Sequence, residues 1–155
     1  MSWLQRLLFG PDAVTPAPDE PRSSQLARVV APRPDIVPFV QGPGAFSFDI
    51  VGESYYQDAL AIIAGAKTEE GHEYFCRAQL RTEPDNPHDR NAVGVLIDGR
   101  KVGHLSRQDA EAYVAMLRNI GTPNQPYEVA AKIVGGWRRK RGEGHYGVKL
   151  DLHPF

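Results

Sequence analysis

The sequence predicts a mainly β fold of α+β type: six short strands in one strongly bent sheet that closes toward a small β-barrel, with two short helices. Three observations point there. From about Ala45 onward, apolar and polar residues alternate in short runs, the period-two signature of half-buried strands. Turn residues punctuate those runs at close intervals, and Asp98-Gly99 among them is the dipeptide of a two-residue hairpin. Within this region only Gln57–Ala64 and the stretch after Ser106 carry apolar residues at helical spacing. Many short strands with few helices bury their apolar faces by curling the sheet on itself.

Taken in order, Phe46, Phe48 and Ile50 alternate with Ser47, Asp49 and Val51 in a first strand ended by Gly52. Gln57–Ala64 is a short apolar helix closed by Gly65. Tyr74, Cys76, Ala78 and Leu80 alternate with more polar neighbours through Arg81. Ala92–Ile97 and Arg100–Leu105 flank Asp98-Gly99, where a type I′ turn needs positive φ at both positions. Ser106 to Asp109 reads as a capping box with Asp109 where Glu is usual, and Ala110, Tyr113, Val114 and Leu117 then form one helical face. Tyr127–Val134 and His145–Leu152 are the last two strands, joined by the glycine-rich basic loop Gly135–Gly144.

The N-terminal third differs. Residues 1–10 put Trp3, Leu4, Leu7 and Leu8 at helical spacing, but Gly10-Pro11 stops the run before it could be stable alone. Residues 11–43 hold most of the prolines and few aromatics, and read as an extended, disordered linker. The apolar start is too short for a secretory h-region and lacks a small-residue cleavage site. Residues 45–155 are left as the folded domain.

Composition narrows the function classes. The 155 residues fit one domain of ordinary size. Lys and Arg number 18 against 19 Asp and Glu, so contact with nucleic acid has to come from local clustering rather than a global basic field. Cys76 stands alone, which rules out an intrachain disulfide and suits a reducing, cytoplasmic setting. No apolar run approaches the ~20 residues of a bilayer-crossing helix, so no membrane partner is expected.

The most informative segment is Leu80–Asn91, L-R-T-E-P-D-N-P-H-D-R-N, followed after a short apolar run by Val102-Gly103-His104-Leu105. Pro84 and Pro87 fix their own φ and push Glu83 and Asn86 out of the helical region. Asp85, Asn86, Asp89 and Asn91 can each bond nearby backbone groups, which satisfies a turn that has no ladder of its own. The result is a rigid polar loop between apolar strands. It serves equally as a well-capped connection or as a platform for a ligand.

The order G-x-x-Y-Y, then L-R-x-E-P-x-N-P-x-D-x-N-A-V-x-V, then V-G-H-L and a helix resembles the HIRAN domain of Rad5-type DNA translocases, found also as stand-alone bacterial proteins. The resemblance covers Phe46 to about Leu152, and no translocase portion accompanies it in this chain. It implies a small OB-like barrel with two helices that binds the 3′ end of single-stranded DNA, in DNA repair or replication-fork processing.

A 3′ terminus offers a base to stack on, a hydroxyl to hydrogen-bond and phosphates to neutralise. The resemblance assigns Tyr55 to the terminal base, with Tyr56 beside it as ligand or core. Asp89 matches the acid that accepts the 3′-hydroxyl, a role suited to an acceptor-only carboxylate that also repels a 3′-phosphate. His88 stands where eukaryotic relatives have a sandwiching aromatic, and an imidazole offers less stacking surface. His104 and Arg107 match phosphate contacts, the latter at a helix N-terminus. Ser54 departs from the basic residue of the best DNA binders, which removes one phosphate contact. Arg138, Arg139, Lys140 and Arg141 beside Trp137 can compensate or can be a solvated hairpin tip. Tyr146 aligns loosely with a further stacking aromatic.

Two rival functions draw on the same residues. A protein- or peptide-binding module would use the same groove, with Asp89 receiving an amine. A metal-dependent hydrolase would draw on His72, His88, Asp89 and His104, but no H-x-x-x-H, H-E-x-x-H or C-x-x-C spacing occurs, so no metal or other cofactor is expected. At the other end of the chain, Gln5, Leu8 and Phe9 resemble the Gln-x-x-Leu-Phe peptides that dock bacterial DNA-processing proteins on the sliding clamp, with Arg6 departing from the usual leucine. The plain alternative is a frayed terminus or one packed on the barrel.

Overall fold

The structure, a computed structural model, describes residues 36–155. The expectation for Gln5, Leu8 and Phe9 lies outside the described residues, as does most of the segment read as linker. Among the described residues no helix is long and apolar enough to cross a membrane.

The strands run β1 (Phe39–Val40), β2 (Phe48–Asp49), β3 (His72–Thr82), β4 (Val93–Ile97), β5 (Arg100–His104), β6 (Tyr127–Gly135), β7 (Arg138–Arg139), β8 (Gly142–Glu143) and β9 (Tyr146–Leu150). A 3-10 turn, Glu53–Tyr55, leads into helix α1 (Gln57–Ala64), and α2 (Arg107–Asn119) follows β5. The main sheet has the order β2-β9-β6-β3-β4-β5, antiparallel throughout, with β1 adding in parallel to β6.

The sheet closes where β2 runs on. Val51 exchanges both backbone hydrogen bonds with His104 at the tip of β5, at 2.8 and 2.9 Å, so the two ends of the strand order meet. Gly103 permits this approach: a Cβ there would lie 2.6 Å from the Val51 carbonyl oxygen. The barrel strands are the six expected from alternation. Within it sit Ala78, Leu80, Val93, Val95, Ile97, Val102, Val129, Ala131, Ile133, Val148 and Leu150. One face of α2, Ala110, Tyr113, Val114 and Leu117, packs on the same core, and α1 buries Leu60.

Local chemistry explains the element ends. Asp98 and Gly99 take φ of 50° and 73°, the type I′ turn that joins β4 to β5. The Ser106 hydroxyl accepts the Asp109 N–H at 3.1 Å and donates to the Asp109 carboxylate at 2.8 Å. Asp109 therefore closes on the cap side chain, whereas a Glu would reach the cap backbone.

Two segments differ from expectation. Alternation puts Phe46 in the first strand, but it has a φ of +48° and lies before β2, its N–H reaching the buried Asp151 carboxylate. Asp151 also accepts the Gly44 N–H at 2.8 Å, so this one carboxylate holds the chain's approach to the barrel. Phe39–Val40 reads as linker on its prolines, yet it pairs with Glu128 and Val129 of β6 and the folded unit begins at Val37. Composition cannot register that the free half of one β6 edge accepts a short strand.

Candidate nucleic-acid interface

The proline loop after β3 is built around Glu83. Its backbone N–H bonds the Ala92 carbonyl at 2.8 Å, closing the loop, and its carboxylate faces three partners. Oε2 lies 3.0 Å from His104 Nε2 and accepts the Asn86 amide at 2.9 Å, while Oε1 pairs with Lys101. Burial pushes this carboxyl up, but the hydrogen bonds from Lys101, Asn86 and His104, with the His104 charge, more than offset that and hold it down at about 2. Gly94 on β4 makes the room, since a Cβ there would sit 2.7 Å from Oε1.

Glu83 positions Asn86, and Asn86 positions the loop tip. The Asn86 side-chain oxygen accepts the backbone N–H of His88 at 2.9 Å and of Asp89 at 3.2 Å. Asp89 Oδ1 in turn accepts the Asn91 N–H at 2.9 Å, and Oδ2 stands 3.7 Å from the Arg107 guanidinium. Among the described residues no hydrogen bond reaches Oδ2. The Asx-turn role and an open acceptor thus coexist on one carboxylate.

Asn86, His88, Asp89, His104, Leu105 and Arg107 line one open cleft of about 300 Å³, floored by Ala92 and Ala110. The loop itself, Pro84 to Arg90, frames a wider concavity of about 590 Å³. Four sequence-predicted residues, His88, Asp89, His104 and Arg107, therefore meet in one place. His88 is exposed, and Arg107 opens α2 as its first residue.

Tyr55 stands on the 3-10 turn four positions beyond Val51, whose partner is His104. The Gln57 side chain secures that turn by bonding the Glu53 carbonyl and both backbone groups of Tyr146, at 2.8 to 3.0 Å. The Tyr55 ring is 86% exposed, and Tyr56 is half-buried and caps α1. Ser54 is exposed on the same turn.

Tyr146 stands apart from these residues. It is 3% exposed, its hydroxyl donates to the Gly65 carbonyl at 2.6 Å, and its ring lies over Gly136, leaving no face for a base. The basic segment forms the β7–β8 hairpin at the His72 end of β3, whereas the proline loop follows Thr82 at the other end. Arg138 pairs with Glu143 at 3.0 Å, and Arg139 covers Trp137 and donates to the Glu69 carbonyl. Lys140 and Arg141 are exposed and make no ion pair among the described residues. His72 bonds the Gly135 carbonyl, remote along β3 from His104. No group of three His, Cys, Asp or Glu side chains gathers as a metal site among the described residues.

A family model for the HIRAN domain matches residues 43–124, which hold the 3-10 turn, the proline loop, β5 and α2. The chain belongs to the HIRAN domain family. Among solved structures it is similar to the human HLTF HIRAN domain, with 19% identity and a TM-score of 0.32 over 66% of this chain and 70% of that one. No curated protein matches at a significant level.

Sequence reasoning did not single out Glu83, Asn86 and Lys101 as site residues. Asn86 reads there as a turn-stabilising residue and Glu83 only as a residue that Pro84 keeps out of the helical region. One signal was present: Gly94, a glycine inside an otherwise apolar strand, marks a close approach by a neighbour.

Proposed function

We propose that this HIRAN domain is a non-enzymatic module that binds single-stranded DNA at a free 3′ end, in DNA repair or replication-fork processing. The observation that carries this reading is Asp89 Oδ2, which accepts no hydrogen bond among the described residues and is held in a cleft with Arg107 and His104 on its walls. An ionised carboxylate accepts a hydroxyl proton and repels a phosphate, while the cations beside it suit the phosphate one step inward. Tyr55 supplies an exposed aromatic face for the terminal base, worth about 1–3 kcal/mol. His88 adds a smaller second face at the loop tip.

The helix start at Arg107 adds oriented backbone N–H groups to that anion site. Tyr56 contributes through the backbone of the turn, and Tyr146 is left out of the interface because its ring is enclosed. Arg138, Arg139, Lys140 and Arg141 serve as a separate phosphate-binding tip for more distant parts of the nucleic acid.

The experiment is a competition. A labelled single strand with a 3′-hydroxyl is bound to the full chain and challenged with unlabelled single strand, blunt duplex and short peptides. Displacement by the single strand alone is expected. Displacement by peptides at similar concentrations would move the groove to a peptide-binding role, with Asp89 receiving an amine.

A further inference from the structure

Strand β3 has an outward face whose composition the 3′-end cleft does not account for. Ala78 and Leu80 point into the barrel, so by the two-residue period Phe75, Arg77, Gln79 and Arg81 point outward. Glu83, two positions on, continues that row as far as His104, one of the residues that line the cleft. The strand's outer face therefore runs up to the wall of the cleft. From Phe75 to Arg81 it extends about 20 Å.

Aromatic rings and cations gather at one end of it, and Arg81 continues the cations toward the cleft. Phe75 is 59% exposed, with Phe46 edge-on to it at 5.5 Å and Lys132 above both rings at 5.5 and 5.6 Å. Arg77 lies over the Phe39 ring at 4.6 Å, and a groove of about 290 Å³ runs past Arg77, Gln79 and Arg81, with Asp98 and Glu128 as the opposite charges in its lining. Single exposed rings are ordinary, but Phe39, Phe46 and Phe75 gathered with Arg77 and Lys132 form a contiguous patch of the kind that marks a binding surface. Glu128 and Glu73 sit near Arg77 and Lys132 at 3.3 and 3.8 Å, and in each pair one partner, Arg77 or Glu73, is exposed, so the pairs hold these side chains only weakly.

We propose that the outward face of β3 is a second binding track, taken by the single strand as it leaves the end cleft toward its 5′ side. Arg81 and Arg77 meet its phosphates, and Phe75 and Phe39 offer stacking faces to its bases. The inference rests on the 3′-end reading for the direction of the strand. The aromatic and cationic pattern and its continuity with the cleft favour a single-stranded nucleic acid over a protein partner.

The test compares 3′-hydroxyl strands of about 3 and about 12 nucleotides, bracketing the shorter site sizes of OB-type folds, by fluorescence anisotropy with the full chain. The longer strand is expected to bind more tightly. Phe75→Ala and Arg77→Ala should each remove roughly five- to tenfold of that gain, the order of one stack or one phosphate pair, and leave binding of the short strand unchanged. Both side chains are exposed, so unchanged melting temperatures will confirm that the variants fold. Absence of a length gain in the wild type, or its full retention in both variants, overturns the track. Failure of the end reading appears separately, as equal binding of 3′-hydroxyl and 3′-phosphate strands.

Discussion

Glu83 opens the proline loop after β3 and His104 ends β5, and the two meet beside the cleft, with Oε2 and Nε2 3.0 Å apart. The contact ties the proline loop to the residue that closes the barrel, because the His104 backbone is paired with Val51. The side chain that holds the site and the backbone that closes the fold are thus linked through one histidine. Acid titration at Glu83 and substitution at Gly103 separate those two duties.

Glu83 is held at about 2 against an ordinary 4.5, so its contribution to stability is complete above 4.5 and is lost as pH falls from there through about 2. Thermal unfolding across that window should show a Tm decline that Glu83→Gln flattens. Parallel curves for wild type and variant would remove Glu83 from the account.

Barrel closure is tested at Gly103. An alanine Cβ would stand 2.6 Å from the Val51 carbonyl oxygen and 2.8 Å from Ile50 Cδ1, so backbone has to yield. Gly103→Ala is expected to cost about 1–3 kcal/mol or more in urea unfolding. A loss well below that would mean the Val51–His104 bridge opens freely.

Tyr146 is expected to behave as core. Tyr146→Phe removes the hydrogen bond to the Gly65 carbonyl and should lower stability by about 1 kcal/mol while leaving DNA affinity unchanged. Weakened DNA binding at unchanged stability would return this ring to the interface.

Much of the barrel was legible because its physics is local. Alternation gave the barrel strands, Asp98-Gly99 the turn, and Ser106 with the apolar spacing of α2 the second helix. What escaped depends on partners remote in sequence. Phe46 leaves the expected strand because Asp151, 105 positions away, takes its N–H, and Phe39–Val40 finds its partner on β6. The meeting of His88, Asp89, His104 and Arg107 followed from family resemblance, not from spacing. The Glu83 hub was hidden because its partners on β5, Lys101 and His104, lie 18 and 21 positions away.

For the β7–β8 hairpin, the readout is salt. Replacing Arg138, Arg139, Lys140 and Arg141 with Gln should weaken binding across all sequences and lower the log-log salt slope by about 0.7 for each single-strand phosphate no longer neutralised. Preference for the 3′ end should persist. An unchanged slope would leave Arg138 to its pair with Glu143, Arg139 to the Glu69 carbonyl, and Lys140 and Arg141 to solvent.

The central claim is that Asp89 reads the end chemistry, and the direct measurement is the affinity of matched single strands ending in 3′-hydroxyl and 3′-phosphate. The account predicts that the phosphate end binds at least several-fold more weakly, since a charged hydrogen bond of about 1.5–3 kcal/mol gives way to repulsion, and that Asp89→Ala lowers hydroxyl-end affinity and abolishes the difference. Equal affinity of the wild-type chain for both ends would contradict it.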